Sequence, residues 1–197
     1  MLPGVILAAG DSARMGFPKA LLLTRDGRPF VAAIAETFAA AGITEIVVVT
    51  GRDHERITAA LAHDTRAVSP QVVRNPDPSR GQLSSLLIGI DQLPADAPAA
   101  VVTLVDVPLM TAETVRLVVS EWHRTGAPIV RPAIGERHGH PVVFDRRLFQ
   151  ELRQAPLDVG AKAVVRAHAA EILNVSVTDE GCLVDVDTPG DYEALGR

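Results

Sequence analysis

The chain has 197 residues, of which 47% are apolar and 22% charged, and this length and composition predict a single domain spanning residues 1–197. The net charge of −5 argues against a general nucleic-acid binder, and no apolar run approaches the roughly 20 residues of a membrane-spanning helix. The start of the sequence lacks the basic region of a signal peptide, and a lone cysteine, Cys182, cannot form an internal disulfide. We therefore expect a cytoplasmic protein that binds neither nucleic acid nor a membrane.

Short apolar runs alternate with longer amphipathic stretches along the chain. The predicted strands are Gly4–Ala8, Glu45–Thr50, Gln71–Arg74, Ala99–Val105, Pro128–Arg131, Pro141–Phe144 and Ile172–Val177. The predicted helices are Pro29–Ala41, Asp53–His63, Arg80–Gln92, Ala112–Arg124, Arg146–Gln154 and Gly160–Ala169. This alternation, with unbroken apolar strands, predicts a mainly parallel sheet covered on both faces, a three-layer α/β/α fold. After about Pro132 the predicted strands become shorter and the alternation less regular. We interpret this part of the chain as an addition to the same sheet.

The loop after the first predicted strand is rich in small residues and carries two cations. Ala8–Gly10 would let backbone amides approach a phosphate closely, because such ligands gather at the carboxyl ends of the strands in open α/β sheets. Arg14 adds a planar fork of donors and Lys19, one of only two lysines, adds a compact charge. The spacing is neither GxGxxG nor GxxxxGK[ST]. The alternative interpretation is an ordinary glycine-rich turn with two solvated cations.

Two aspartates far apart in sequence are candidate metal ligands. Asp106 follows the buried strand that ends in Leu104-Val105, and Asp187 precedes a predicted helix start at Thr188-Pro189. Carboxylate oxygens suit a hard cation such as Mg²⁺. Alternatively, Asp106 begins a turn and Asp187 belongs to a helix cap.

Two further segments carry polar side chains of possible function. In the first, the Gly81 and Gln82 backbone and the Ser84 and Ser85 hydroxyls could contact a nucleotide base, although Ser84 could equally cap a helix. In the second, His138 and His140 would share one face of a strand, which leaves open a metal site. No cysteine or further histidine lies close in sequence to complete such a site.

The first loop resembles the LAAGxSxRMGxPK signature of the MobA-like nucleotidyltransferase superfamily. Every fixed position matches: Leu7, Ala8, Ala9, Gly10, Ser12, Arg14, Met15, Gly16, Pro18 and Lys19. The resemblance implies a Rossmann-like nucleotidyltransferase fold of the GT-A-like kind. It also implies that the backbone at Ala9–Ser12, including Asp11, wraps the triphosphate, with Arg14 and Lys19 as catalytic cations.

Other segments are similar to the MocA-type molybdenum cofactor cytidylyltransferases within this superfamily. Asp106 and Asp187 match the family's metal-binding positions, although this chain has LVDVP where MocA-type members usually have LGDQP. The stretch from Asn75 to Ser85 is similar to their N-x-x-x-x-x-G-x-x-S-S segment, which binds CTP. His140 lies in a GHP motif, and Lys162 replaces the Arg of a D-x-G-A-R segment; both would lie near the acceptor.

The resemblance thus implies transfer of CMP from CTP to molybdopterin, with release of pyrophosphate, catalytic Arg14, Lys19 and Asp106, and Mg²⁺ or Mn²⁺ on Asp106 and Asp187. A molybdenum hydroxylase is a candidate protein partner. Lys162 could instead be a solvated helix residue. Guanylyl or other nucleotidyl transfer to a different acceptor, such as a phosphosugar or phosphoalcohol, stays open. So do a nucleotide-binding oxidoreductase, which the absent GxGxxG fingerprint disfavours, and a cofactor-binding protein without chemistry.

Overall fold

The computed structural model describes residues 2–63 and 69–196. Within these residues one sheet contains eight strands: β1 (Gly4–Ala8), β2 (Ile46–Thr50), β3 (Gln71–Arg74), β4 (Ala99–Leu104), β5 (Ile129–Ile134), β6 (Arg137–His138), β7 (Val142–Asp145) and β8 (Ile172–Ser176). The same residues form seven α-helices: α1 (Phe30–Ala40), α2 (His54–His63), α3 (Gln82–Asp91), α4 (Ala112–Thr125), α5 (Phe149–Gln154), α6 (Lys162–Ala167) and α7 (Pro189–Ala194). None of the helices in this part of the chain has the length and apolar character needed to cross a bilayer.

The strand order is β3-β2-β1-β4-β7-β5-β6, and β8 also pairs with β5. The first four strands are parallel, with Val5 opposite both Val47 and Val102. β7 runs antiparallel to both of its neighbours, β4 and β5, and β8 returns parallel to β5. The sheet is therefore mixed but mostly parallel, and the late strands extend the same sheet, as the sequence predicts.

The sheet is buried on both faces because alternate residues of each strand point to opposite sides. Ile6 and Val48 belong to one apolar core, which includes side chains of α1 and α4. Their neighbours Val5 and Val47 belong to a second core, which includes side chains of α3, α5 and α6. This confirms the predicted α/β/α layering.

Many predicted boundaries differ from the structure by one to three residues. The helix predicted from Arg80 begins at Gln82, because Gly81 has a φ of 90°, a conformation that ends a short 3-10 turn and that few residues other than glycine adopt. The helix predicted from Gly160 begins at Lys162. The two-residue strand β6 was not predicted, since a run this short carries no periodicity.

Candidate active site

The carboxyl ends of β1 and β4 open into a cavity of about 280 Å³. Most of the predicted nucleotide and metal residues line it: Leu7, Ala8, Ala9, Gly10, Asp11, Ser12, Arg14, Lys19, Gly81, Gln82, Ser85, Asp106 and Asp187. Arg52 and Asp53, which follow β2, also line the cavity and were not predicted. The end of a parallel strand was the one signal that could have indicated them, because β2 lies directly beside β1.

The loop after β1 is a tight turn organised by Ser12. The amides of Met15 and Gly16 both donate to the Ser12 carbonyl at 3.0 Å, and the Lys19 amide donates to Ser12 Oγ at 3.1 Å. Ser12 itself has a φ of 49°, a left-handed conformation that costs a residue with a side chain about 1 kcal/mol or more. Such strain persists where the surroundings enforce it, and it is concentrated at ligand-binding loops.

Lys19 brings the two distant aspartates together. Its Nζ donates to Asp106 Oδ2 at 3.0 Å and to Asp187 Oδ1 at 2.5 Å, and its side chain is only 12% exposed. Arg14, whose side chain is 69% exposed, donates to the other oxygen of Asp187 at 2.8 Å. The backbone joins the same segments, since the Val186 amide donates to the Asp106 carbonyl at 2.8 Å.

The charges of this cluster shift the pKa values of its members. The hydrogen bond from Lys19 lowers the pKa of Asp187 below its usual range, and Arg14 lowers it further. Burial opposes the charge of Lys19, but its hydrogen bonds to Asp187 and Asp106 outweigh burial and raise the pKa of the lysine. Lys19 and Asp187 are therefore both charged at neutral pH.

The two carboxylates fit a hard divalent cation. Asp106 Oδ1 is buried and has no hydrogen-bond partner among the described residues, so this oxygen can still coordinate a ligand. No group of three or more His, Cys, Asp or Glu side chains that could hold a metal occurs in the same part of the chain. A cation here would therefore need oxygens from phosphate and water to complete its shell.

The structure separates the predicted base-binding residues into two groups. Asn75 and Ser84 do not line the cavity: the Asn75 amide donates to Ser84 Oγ and Ser85 Oγ at 2.9 Å each. Ser84 Oγ in turn donates to the Gly81 carbonyl, and the Gly81 amide donates to Pro78. Asn75 and Ser84 thus support the turn that carries Gly81, which itself lines the cavity, and direct contacts of Asn75, Ser84 and the Gly81 backbone with a nucleotide stay a prediction.

Gln82 and Ser85 are the members of this segment with free hydrogen-bonding capacity at the cavity. The Gln82 side chain has no hydrogen-bond partner within the described residues. Ser85 Oγ accepts from Asn75 and retains its own proton for donation. Both lie in the first turn of α3 and face the loop after β1 across the cavity.

His140 and Lys162 line a second cavity of about 220 Å³, whereas His138 does not. His138 is exposed at the end of β6 and His140 follows outside the strand, and neither belongs to a group of three or more potential metal ligands among the described residues. Burial lowers the pKa of His140, with opposing effects of the Val102 backbone and the Asp106 charge. Gly139 permits this turn, because a Cβ there would lie 2.0 Å from the Cys182 carbonyl.

The second cavity adjoins the first. Leu7, Gln82 and Leu104 line both, so a ligand in one would lie next to a ligand in the other. Arg131 on β5 also lines the second cavity and was not predicted from the sequence. Its only indication was an arginine at the end of an apolar strand.

Residues 4–172 match the MobA-like NTP transferase domain. A protein named nicotine blue oxidoreductase from Paenarthrobacter nicotinovorans is 35% identical over 195 residues, which is 94% of this chain and 91% of that protein. The bifunctional protein GlmU of Rhizobium etli is 31% identical over 148 residues, which is 75% of this chain but only 31% of that protein.

Solved structures show the same fold. The crystal structure of Rv0371c from Mycobacterium tuberculosis H37Rv superposes with a TM-score of 0.82 at 27% identity, covering 99% of this chain and 97% of that one. A second crystal structure of Rv0371c, in complex with manganese, superposes with a TM-score of 0.75 at 26% identity, covering 98% and 97%.

Proposed function

The chain belongs to the MobA-like NTP transferase family and is a nucleotidyltransferase, and on this premise we propose that it transfers CMP from CTP to molybdopterin with release of pyrophosphate. The observation that carries the proposal is the cluster of Lys19, Asp106, Asp187 and Arg14 in the first cavity, which shares part of its lining with the second. The first cavity is lined by the loop after β1, which is suited to bind phosphate. The adjoining cavity has basic side chains and room for an acceptor.

In this proposal the loop after β1 holds the triphosphate. Backbone amides of Ala9–Ser12 approach the phosphates, while Arg14 and Lys19 stabilise the negative charge that develops on the leaving pyrophosphate. The acceptor phosphate attacks the α-phosphorus in line, and no general base is required because that phosphate is already an anion. Positioning and electrostatics then provide most of the rate enhancement.

Asp106 and Asp187 are the proposed ligands of Mg²⁺ or Mn²⁺. The cation would supply positive charge to the α-phosphate and orient the attacking oxygen. The manganese complex of Rv0371c supports a divalent cation in a relative of this chain. Asp187 matters less than Asp106 in this scheme, because both oxygens of Asp187 are already paired with Lys19 and Arg14, whereas the buried Asp106 Oδ1 has no partner among the described residues.

Gln82 and Ser85 are the side chains proposed to recognise the nucleotide base by hydrogen bonding. A side-chain amide and a hydroxyl can donate to, and accept from, the Watson–Crick edge of cytosine. Asn75 and Ser84 hold the turn that presents them, so their replacement should weaken base selection indirectly.

The test is a nucleotide panel with pyrophosphate detection. CTP, GTP, ATP and UTP are compared with molybdopterin and Mg²⁺ or Mn²⁺, using the wild-type protein, Asp106→Asn, Asp187→Asn and the exposed control Asp96→Asn. Of the four nucleotides, we expect only CTP to be turned over at high efficiency. This turnover should be lost completely in Asp106→Asn, lost in part in Asp187→Asn and unchanged in Asp96→Asn.

Other outcomes assign other functions. GTP preferred by about tenfold or more would replace the cytidylyl proposal with guanylyl transfer. Pyrophosphate release with a phosphosugar or phosphoalcohol, and none with molybdopterin, would replace the acceptor. Nucleotide binding without pyrophosphate release under any condition would contradict this function and favour a cofactor-binding or redox role.

A further inference from the structure

The second cavity lies between the sheet and two helices. Side chains of β4, β5 and β7 form its floor, and the first turns of α3 and α6 form its walls. Its lining comprises ten apolar side chains and four polar ones, and none of them is acidic. A ligand rich in hydroxyls would lose hydrogen bonds to water here without replacement, so the lining favours an apolar or flat molecular body.

Two of the four polar residues, Arg131 and Lys162, carry basic side chains. Arg131 lies two positions after Ile129 on β5, and both therefore point to the same face of the sheet as the cavity. Lys162 begins α6 on the opposite wall. Both charges thus face the same enclosed volume from different elements.

Arg131 has no acidic partner within the described residues. Its Nε donates to Asn174 Oδ1, a neutral acceptor on β8, at 2.8 Å, and its terminal nitrogens are left for other ligands. Burial lowers the pKa of Arg131. Lys162 likewise forms no ion pair with any described residue. Arg131 is half-buried and Lys162 is exposed at the cavity, and two like charges without an acidic partner among the described residues are complementary to an anion.

We propose that Arg131 is a specificity-determining residue which, together with Lys162, binds a second anionic group of the acceptor. This inference rests on the proposed function, because the phosphate that attacks must lie at the junction near Asp106. The apolar floor then separates the two ends of the acceptor. The substrate class is a phosphorylated compound with a body poor in hydroxyls and a second anionic group, which in molybdopterin would be the dithiolate.

The experiment measures the binding of two simple probes, phenyl phosphate and 4-carboxyphenyl phosphate. Calorimetry is done on the full chain with Mg²⁺ and α,β-methylene CTP, which cannot be cleaved. We expect the carboxylated probe to bind the wild-type protein about tenfold more tightly, the effect of one charge-assisted contact. In Arg131→Gln that advantage should vanish, while phenyl phosphate binds within about twofold of wild type.

Two further variants separate specificity from structure. Arg131→Lys retains the charge and should restore part of the preference for the carboxylated probe. Arg166→Gln removes an exposed arginine of α6 outside the cavity and should leave the preference unchanged. Thermal unfolding of each variant, measured in parallel, identifies any that is not folded.

The outcomes distinguish this inference from the function on which it rests. If α,β-methylene CTP binds but the two probes bind the wild-type protein equally, or neither binds, the role of Arg131 is overturned and the nucleotidyl-transfer proposal stands. A preference that persists in Arg131→Gln overturns it as well. If the CTP analogue itself does not bind, both proposals are wrong.

Discussion

Replacing Lys19 with methionine should increase the affinity of the nucleotide-free protein for Mn²⁺. The ammonium of Lys19 binds the same two carboxylates, Asp106 and Asp187, that we propose as metal ligands. A cation must therefore displace Lys19 before it can bind both acids. Methionine has a similar length but no charge, so it removes the competitor while filling most of its volume.

The magnitude follows from the two hydrogen bonds. A hydrogen bond between charged groups contributes about 1.5 kcal/mol or more, so the pair contributes about 3 kcal/mol. The Asp187 side chain is 33% exposed, and water screens its interaction, which reduces the total to about 2 kcal/mol. Lys19→Met should then bind Mn²⁺ roughly thirtyfold more tightly than the wild type.

The assay is the electron paramagnetic resonance signal of free Mn²⁺ during titration without nucleotide. Lys162→Met is the matched control, because it removes the other lysine of the chain from a different cavity. With CTP present, the wild type should instead bind Mn²⁺ more tightly than Lys19→Met, since the wild-type ammonium can then neutralise the triphosphate. Unchanged or weaker Mn²⁺ binding by Lys19→Met without nucleotide would refute this competition.

Three further expectations follow from single residues. Asp106→Ala should abolish turnover, and crystals of the variant soaked in Mn²⁺ should lose the anomalous peak of the wild type; a retained peak would place the metal elsewhere. Hydrogen bonds to Glu151 and Glu171 raise the pKa of His168 above 6.5, so its stabilisation should be complete below that pH and disappear as the pH rises through the folded-state value. The difference in unfolding free energy between wild type and His168→Gln, measured from pH 5 to 9, should shrink accordingly; a constant difference would contradict this. The Cys182 thiol is buried with its pKa raised to about 11, so iodoacetamide at pH 8 should label it only after unfolding, as mass spectrometry would show.

Much of the fold could be predicted because its elements carry strong local patterns. β1 and β3 have the predicted bounds, and β2, α1 and α4 differ by one or two residues. Runs of apolar residues mark these strands in the sequence, and a glycine just after each helix marks where α1 and α4 end. The order in which the strands pair, and the reversal at β7, depend on contacts between distant segments. No local pattern encodes such contacts, so the sequence predicted the strands but not the mixed arrangement.

The candidate site was predictable where function and backbone position coincide. Asp106 follows the end of β4 and the loop that carries Lys19 follows β1, and the geometry of parallel sheets predicts that such segments converge. Asn75 and Ser84 illustrate the limit, because a polar side chain next to a ligand and one that supports a turn look identical in sequence. Arg131 was missed since its exposure to a cavity depends on the packing of α3 and α6 above it.

The long separation within the Lys19 cluster has a consequence for biosynthesis. Lys19 and Asp187 are 168 positions apart, so the ribosome completes the loop after β1 and every strand of the sheet before it adds Asp187. A nascent chain that has made all eight strands therefore still lacks one of the proposed metal ligands. The same late segment carries Cys182 and Val186, which are fully buried in the apolar core, so it completes the core and the proposed metal site together. Proteolytic removal of the segment after β8 would thus take away Asp187 and part of the core at once, and stability and chemistry would be lost together.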